Sequence, residues 1–325
     1  MRIQNLHVLP KFSDGWSYLY VEHCKVDQEA RAIAIHDANG KVPVPCANLA
    51  LLMLGPGVSI THAAVSVLAD HGCLVAWCGE EGVRFYAVGM GETRSASNLL
   101  HQARMWADES LRMQVVRRLY QIRFPQKLDA ALTLQQIRGM EGVRVRDTYA
   151  RAARETGVPW AGRNYQRDKW KNADPVNRAL SVANSCLYGI CHSAIVSAGF
   201  SPALGFIHTG KMLSFVYDIA DLYKAEITIP LAFKAVAQGT EKLEREIRLA
   251  CRDAFVSMKL LERIIPDMQT VLAISTKQLL QGTSNSQYDS DAATPGDLWD
   301  PDEEGVVGGH NHAPEPEADH DRLDS

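Results

Sequence analysis

Up to about residue 90 the apolar positions alternate, and the elements they predict are strands. Ser17–Cys24 alternates aromatic and polar residues through Tyr18 and Tyr20, and Arg31–His36 alternates around Ala32, Ala34 and Ile35. Asp37-Ala-Asn-Gly40 reads as a turn, after which Val42–Pro45 resumes the extended pattern. Leu49–Leu54 has the composition of a buried strand, and Thr61–Asp70 reads as a short amphipathic helix closed near Gly72. Cys73–Cys78 and Val83–Val88 read as a hairpin around Gly79-Glu-Glu-Gly82.

From residue 95 to residue 280 the period becomes helical. Leu100, Ala103, Ala107, Leu111, Val115, Leu119 and Ile122 fall on one face of a single long helix that Pro125 ends. Arg104, Arg112, Arg117, Arg118 and Arg123 lie elsewhere on it. The next helix begins at Thr133, with Gln136 completing a capping box. Residues 160–171, polar and aromatic, read as a loop. Helices are expected over Pro175–Phe200, Ser214–Ala225 and Glu241–Ile264. After about Gln281 no apolar period survives, and Pro, Gly, Asp, Glu, Asn and Ser dominate. Residues 281–325 read as a disordered acidic tail. Its His310-Asn-His312 matches the letters of a nuclease motif by coincidence.

Composition and charge sharpen this picture. The 325 residues are 46% hydrophobic and 22% charged, which suits a globular protein with a substantial core. The net charge of −4 conceals an asymmetry. The tail carries twelve Asp/Glu and one Arg, while residues 1–280 carry 33 Lys/Arg against 26 Asp/Glu, a body of +7. A basic body suits a polyanionic partner. No uninterrupted apolar run approaches the ~20 residues of a membrane span, and Met1–Pro10 has no signal-peptide core. No membrane association is expected. The seven cysteines, in C-x4-C pairs where paired at all, read as buried free thiols of a reducing cytoplasm.

Phosphate-loop, dinucleotide and nucleophile-elbow motifs are missing from the sequence, which argues against P-loop NTPases, common dehydrogenases and α/β-hydrolases. Three carboxylate and histidine blocks remain. Glu141 lies between Gly139 and Gly142 inside a predicted helix, where each glycine costs about 1 kcal/mol relative to Ala. Bare positions allow a backbone or ligand to come close, although a solvated Glu on a weak helix fits as well. His208, in His208-Thr-Gly-Lys211, is free to point into a cleft or to serve structurally. Asp218 and Asp221 share a helical face at i, i+3, with a bound cation or Lys224 to relieve their repulsion. Glu, His and Asp together suit Mg²⁺ or Mn²⁺ rather than a structural zinc, and such ions favour phosphoryl transfer. Arg138, Arg163, Tyr165, Trp170, Lys211, Arg245 and Arg248 mix cations with stacking surfaces, a nucleic-acid combination.

Leu134–Asp147 (LQQIRGMEGVRVRD), Ser185–Gly189 (SCLYG) and above all Ala203–Asp221 (ALGFIHTGKMLSFVYDIAD) resemble the CRISPR-associated integrase that acquires new spacers, in the type I-E subtype. Gly55-Pro-Gly57, Thr61-His62-Ala-Ala64, Val75-Ala-Trp77 and Gly82-Val-Arg84 are similar too. The likeness runs from about residue 10 to 275. It implies an α+β protein: a small β-rich N-terminal domain (1–92) followed by a larger all-α catalytic domain (93–280), with the tail (281–325) beyond. It implies a metal bound by Glu141, His208 and Asp221, with Asp218 and Lys224 supporting them. Arg84 and Tyr188 join the residues assigned to DNA. Ser59 departs from the pattern, since related chains often carry a basic residue near there.

The resemblance further implies a homodimer that assembles with a small ferredoxin-like partner. The ligands implied are double-stranded DNA with 3′ ends and the repeat DNA of the CRISPR array. The reaction would be attack of a 3′-OH on a repeat phosphodiester, or metal-dependent cleavage with water as nucleophile. Two alternatives stay open at this stage: a non-catalytic DNA-binding scaffold of the same complex, and a metal phosphohydrolase of small nucleotides.

Overall fold

The structure, a computed structural model, describes residues 19–30, 32–46, 49, 51–71, 73–79, 85–89, 96–163 and 174–274. In the N-terminal part these form β1 (Leu19–Val21), β2 (Lys25–Glu29), β3 (Ala32–Asp37), β4 (Gly40–Val44), β5 (Leu51–Leu54), β6 (Ser59–Ile60), α1 (His62–Asp70), β7 (Leu74–Cys78) and β8 (Phe85–Gly89). One sheet has the order β4-β3-β2-β6 and the other β1-β5-β7-β8. In the second, β1, β5 and β7 run parallel, and β7 pairs antiparallel with β8 as the expected hairpin does. The strand expected over 17–24 ends at Val21. The chain turns at His23, whose φ is 50°, and β2 starts at Lys25.

Pleating makes β5 and β7 the seam of the molecule. All four side chains of β5 are buried, and alternate ones face opposite ways. Leu52 and Leu54 join Val26, Ile33, Ala64 and Leu68 in a small core under α1. Leu51 and Met53, with Leu74, Ala76 and Cys78 of β7, join the large core of the helices. Thr61 caps α1 by accepting the Ala64 N–H at 3.2 Å.

The remainder is helical: α2 (Ser97–Ala107), α3 (Glu109–Arg123), α4 (Leu134–Thr156), α5 (Pro175–Ser197), α6 (Ser214–Ala220), α7 (Thr228–Gln238), α8 (Leu243–Ser257) and α9 (Leu260–Leu272). A small β-sheet region thus precedes a mostly helical part, as the sequence led us to expect. The capping box is present, with the Thr133 side chain and Gln136 satisfying each other's backbone N–H groups. Asp174 caps α5 with Pro175 in its first turn.

Three helical expectations change. The long helix over 100–122 is two, because Asp108 closes α2 through its N–H to Arg104 O and caps α3 by accepting the Leu111 N–H at 2.9 Å. The helix over 241–264 breaks at Lys259, whose φ is 50°, and α9 starts there. α7 falls inside the stretch read as helical, although no separate helix is expected there. Its Pro230 suggests a break, yet the position lies in the first turn, where no N–H is needed.

α5 is the central helix, and its Pro175–Val196 stretch is apolar and long enough to cross a membrane by length and composition. Asn177, Arg178 and Ser181 punctuate it, so it is no uninterrupted apolar run. Here 83% of its most apolar window is buried inside the protein. All seven cysteines are buried, and burial raises the pKa of the Cys191 thiol beyond the usual range.

His192, 5% exposed on α5, has its imidazole pushed down to about 4 by burial. The unfolded chain takes up this proton near pH 6.5, while the native protein refuses it until about pH 4. Stability is therefore full above pH 6.5 and falls as the pH drops toward 4, by about 3 kcal/mol from this group. A His192→Asn variant should flatten that part of the pH dependence of thermal unfolding, and an unchanged slope would assign it elsewhere.

The boundary near 92 and the acidic tail lie outside the described residues. The described residues all belong to one compact unit.

Candidate active site

Three distant segments meet beside the C-terminal end of α3. Glu141 comes from the second turn of α4, between glycines whose outer faces meet nothing: a Cβ at Gly139 or Gly142 would find no atom within 4 Å. No part of the described chain approaches there. His208 comes from the loop between α5 and α6. Asp218 lies inside α6, and Asp221 follows directly after it.

Asp218 organises the loop. Its carboxylate is fully buried and accepts the backbone N–H groups of Phe206 (2.5 Å), Ile207 (3.1 Å) and His208 (2.9 Å), and it pairs with His208 Nδ1 at 2.8 Å. Fixing Nδ1 leaves Nε2 facing Asp221 Oδ2, 3.9 Å away. The i, i+3 spacing of the two aspartates thus spans one imidazole. Gly205 lets the loop close, because a Cβ there would lie 2.4 Å from the His208 carbonyl oxygen and 2.6 Å from the Ser214 backbone.

Cations surround the carboxylates. Arg144 grips Glu141 with two bonds, Nε to Oε2 at 2.7 Å and Nη2 to Oε1 at 2.9 Å. Arg123 Nη1 lies 3.3 Å from Glu141 and 3.6 Å from Asp221. Lys224 Nζ lies 2.6 Å from Asp221 Oδ1 and over the Tyr188 ring at 4.9 Å. Burial alone would raise the Asp221 carboxyl, but Lys224 and Arg123 hold it below the usual carboxylate range, so it is ionised at neutral pH. Burial works against the charge of Lys224 too, and Asp221 more than restores it. Tyr188 and Tyr217 pack edge to face at 5.0 Å, with Tyr217 against His208.

His208 and Asp221 are thus brought together, with Asp218 and Lys224 in support, and Glu141 shares Arg123 with Asp221. Among the described residues, however, no three His, Cys, Asp or Glu side chains stand ready as a metal cage. The donor types do fit Mg²⁺ or Mn²⁺, and the Asp218-fixed imidazole has the tautomer that a ligand needs. Glu141 is the member held elsewhere, by its two arginines.

The residues assigned to DNA fare unevenly. Arg138, Lys211 and Arg245 are exposed. Arg163 hydrogen-bonds Asn177 and Ser181 at the start of α5. Arg248, three residues after Arg245 and so expected on the same helical face, is half-buried and lies 4.6 Å over the Tyr20 ring. Tyr188 lines the site beside Lys224. Arg84, Tyr165 and Trp170 lie outside the described residues.

Sequence reasoning missed the supports. Gln102 is buried and exchanges hydrogen bonds with Ser201 and the Leu204 carbonyl, while Trp106 Nε1 donates to Gly205 O at 3.1 Å and Arg112 Nη2 to Phe206 O at 3.3 Å. One face of α2 and α3 thereby holds the loop that presents His208. Arg123 had a signal: it follows Val116, Leu119 and Tyr120 on the buried stripe of α3. A guanidinium on such a stripe needs carboxylates.

Residues 18–125 and 120–247 match the family described as CRISPR associated protein Cas1. The chain belongs to the Cas1 family. A CRISPR-associated endonuclease Cas1 2 of Thermus thermophilus is 56% identical over 297 residues, covering 91% of this chain and 90% of the relative. The CRISPR-associated endonuclease Cas1 of Escherichia coli is 43% identical over 261 residues, 80% and 86% of the two chains. A TtCas1–DNA complex solved by crystallography superposes with a TM-score of 0.75 at 54% identity, covering 90% of this chain and all of that one. The Cas1 protein of Thermotoga maritima, at 16% identity and a TM-score of 0.60, shares the fold.

Proposed function

We propose that this Cas1-family protein is a divalent-metal-dependent DNA integrase and endonuclease of CRISPR adaptation, of the type I-E subtype. It inserts captured foreign DNA as new spacers by directing a 3′-OH onto a repeat phosphodiester. The observation that carries the reading is that Arg123 Nη1 lies near both Glu141 and Asp221 while His208 Nε2 faces Asp221, although Glu141 stands 67 residues from His208 along the chain. The relatives named as endonucleases, and the one solved with DNA, support nuclease chemistry and a DNA ligand. A homodimer, the small ferredoxin-like partner and the cytoplasm complete the reading, on the strength of the sequence resemblance.

Bound Mg²⁺ or Mn²⁺ would supply the Lewis acidity that stabilises an attacking alkoxide and a crowded phosphate. Glu141, His208 Nε2 and Asp221 are the side chains to hold it. Asp218 keeps His208 oriented by fixing Nδ1. Lys224 and Arg144 hold the carboxylates in place, and exposed Lys211 and Arg138 offer charge to flanking phosphates.

The second reading, a non-catalytic DNA-binding scaffold of the same complex, draws on the Glu141 carboxylate being taken by arginines. A supercoiled repeat plasmid, a duplex with 3′-OH ends and the small partner separate the two. Joined products are expected with Mn²⁺ and none with excess EDTA. DNA binding without joining in any metal would favour the scaffold.

A further inference from the structure

The Glu141–Asp221 pair already has a cation of its own. The Arg123 side chain is only 4% exposed, and a single nitrogen, Nη1, faces both carboxylates. Nη2 reaches the backbone oxygen of Asp218 at 3.4 Å, and the Tyr120 ring lies 5.2 Å from the guanidinium carbon. Nε is buried with no hydrogen-bond partner, alone in this among the side-chain atoms of the described residues. An unmatched buried donor is costly, and a guanidinium stays in such a place only because carboxylates hold it there. Stability alone would be served better by an apolar side chain at the end of this stripe.

Counting charges gives the position a purpose. Glu141 and Asp221 are paired with Arg123, Arg144 and Lys224, and the Asp218 carboxylate, held by His208 and three backbone N–H groups, adds a third negative charge beside them. The recess is neutral by itself while His208 is neutral. A divalent ion added there leaves two uncompensated positive charges among largely covered groups. Phosphodiesters bring the compensating charge.

We propose that Arg123 is an internal counter-cation of the metal site. It holds Glu141 and Asp221 in place before the ion arrives, competes with the ion for them, and so makes metal binding weak in the free protein and strong once DNA is present. Arg144 adds to the competition at Glu141. Arg123 touches no reacting group in this scheme and is a positioning residue. The proposal rests on the metal-dependent reading above. Linkage makes the coupling reciprocal, so the ion must strengthen DNA binding by the same factor.

The test is Mn²⁺ binding to the full-length chain, followed by the electron paramagnetic resonance signal of free Mn²⁺. It is run with and without a duplex whose 3′ ends lack the hydroxyl and so cannot react. For the wild type, affinity should rise at least about ten-fold when the duplex is added. Arg123→Gln should bind Mn²⁺ about ten-fold tighter than wild type without DNA and gain less from the duplex, whereas Arg123→Lys should restore wild-type behaviour. The melting temperature of Arg123→Gln should be lowered without Mn²⁺ and recover with it. Should Arg123→Gln not fold, the more exposed Arg144→Gln carries the same test and should also tighten binding. Equal or weaker Mn²⁺ affinity in the folded glutamine variant overturns this proposal and leaves the metal reading standing. Absence of Mn²⁺ binding by wild type and every variant, with DNA or without, overturns both.

Discussion

Strand transfer by a His208→Ala variant should fall on the order of a thousand-fold, the scale of losing one group that acts on developing charge. The fold should hardly notice. The His208 side chain is 42% exposed, and Asp218 keeps its three backbone donors without the imidazole. Its stability cost is therefore about 1 kcal/mol or less. DNA affinity should stay near wild type, because the exposed cations Lys211, Arg138 and Arg245 remain. The measurements are joined product per minute on the repeat plasmid, the melting temperature, and retention of labelled duplex. Wild-type joining rates would remove His208 from the site. A collapse of stability would instead make it a structural residue.

Asp218→Asn should have the larger effect on the protein as a whole. The substitution keeps size and removes charge. The asparagine has one acceptor oxygen where the carboxylate has two, and its NH2 would be turned toward donors. Phe206, Ile207 and His208 cannot all be satisfied, and the site has no exposure to let water replace the lost bonds. A loss of about 2–4 kcal/mol in unfolding free energy is expected. Activity should fall as far as in His208→Ala, since the imidazole loses the bond that fixes its orientation. Chemical denaturation beside the joining assay distinguishes this from a purely catalytic role. A variant with full stability and lost joining would mean that Asp218 acts on the ion or the DNA directly.

The different behaviour of these two residues follows what could be read from sequence. Local signals were legible. Thr133 and Gln136 declare a helix start by themselves, and Asp174-Pro175 declares another. Alternation along β3 and the apolar composition of β5 marked them as strands. Where local signals compete, the period misled: Leu100 to Ile122 keeps a helical rhythm across Asp108, and only the cap in the middle reveals two helices. Lys259 gives no warning of its left-handed backbone.

The site divides similarly. The residue types in the Glu141, His208 and Asp218/Asp221 blocks suggested their chemistry, and a family resemblance joined them. The partner of each was out of reach, because Arg123 meets Glu141 across the turn between α3 and α4, and Gln102 meets Ser201 across about a hundred residues. Such pairings depend on tertiary contact, and a single sequence holds no record of it. Arg248 shows the reverse: its spacing from Arg245 suggested a common surface, yet Tyr20 from the β half covers it.

β5 and β7 have one further consequence. Each gives alternate side chains to a different core, so neither half of this chain owns that sheet. A chimera built from two relatives and joined near residue 92 would place one parent's strands against the other parent's helices. Its success would depend on whether Leu51, Met53, Leu74 and Ala76 match the foreign α5. Evolution of the two halves is thereby yoked: drift in the floor of one must be answered in the other.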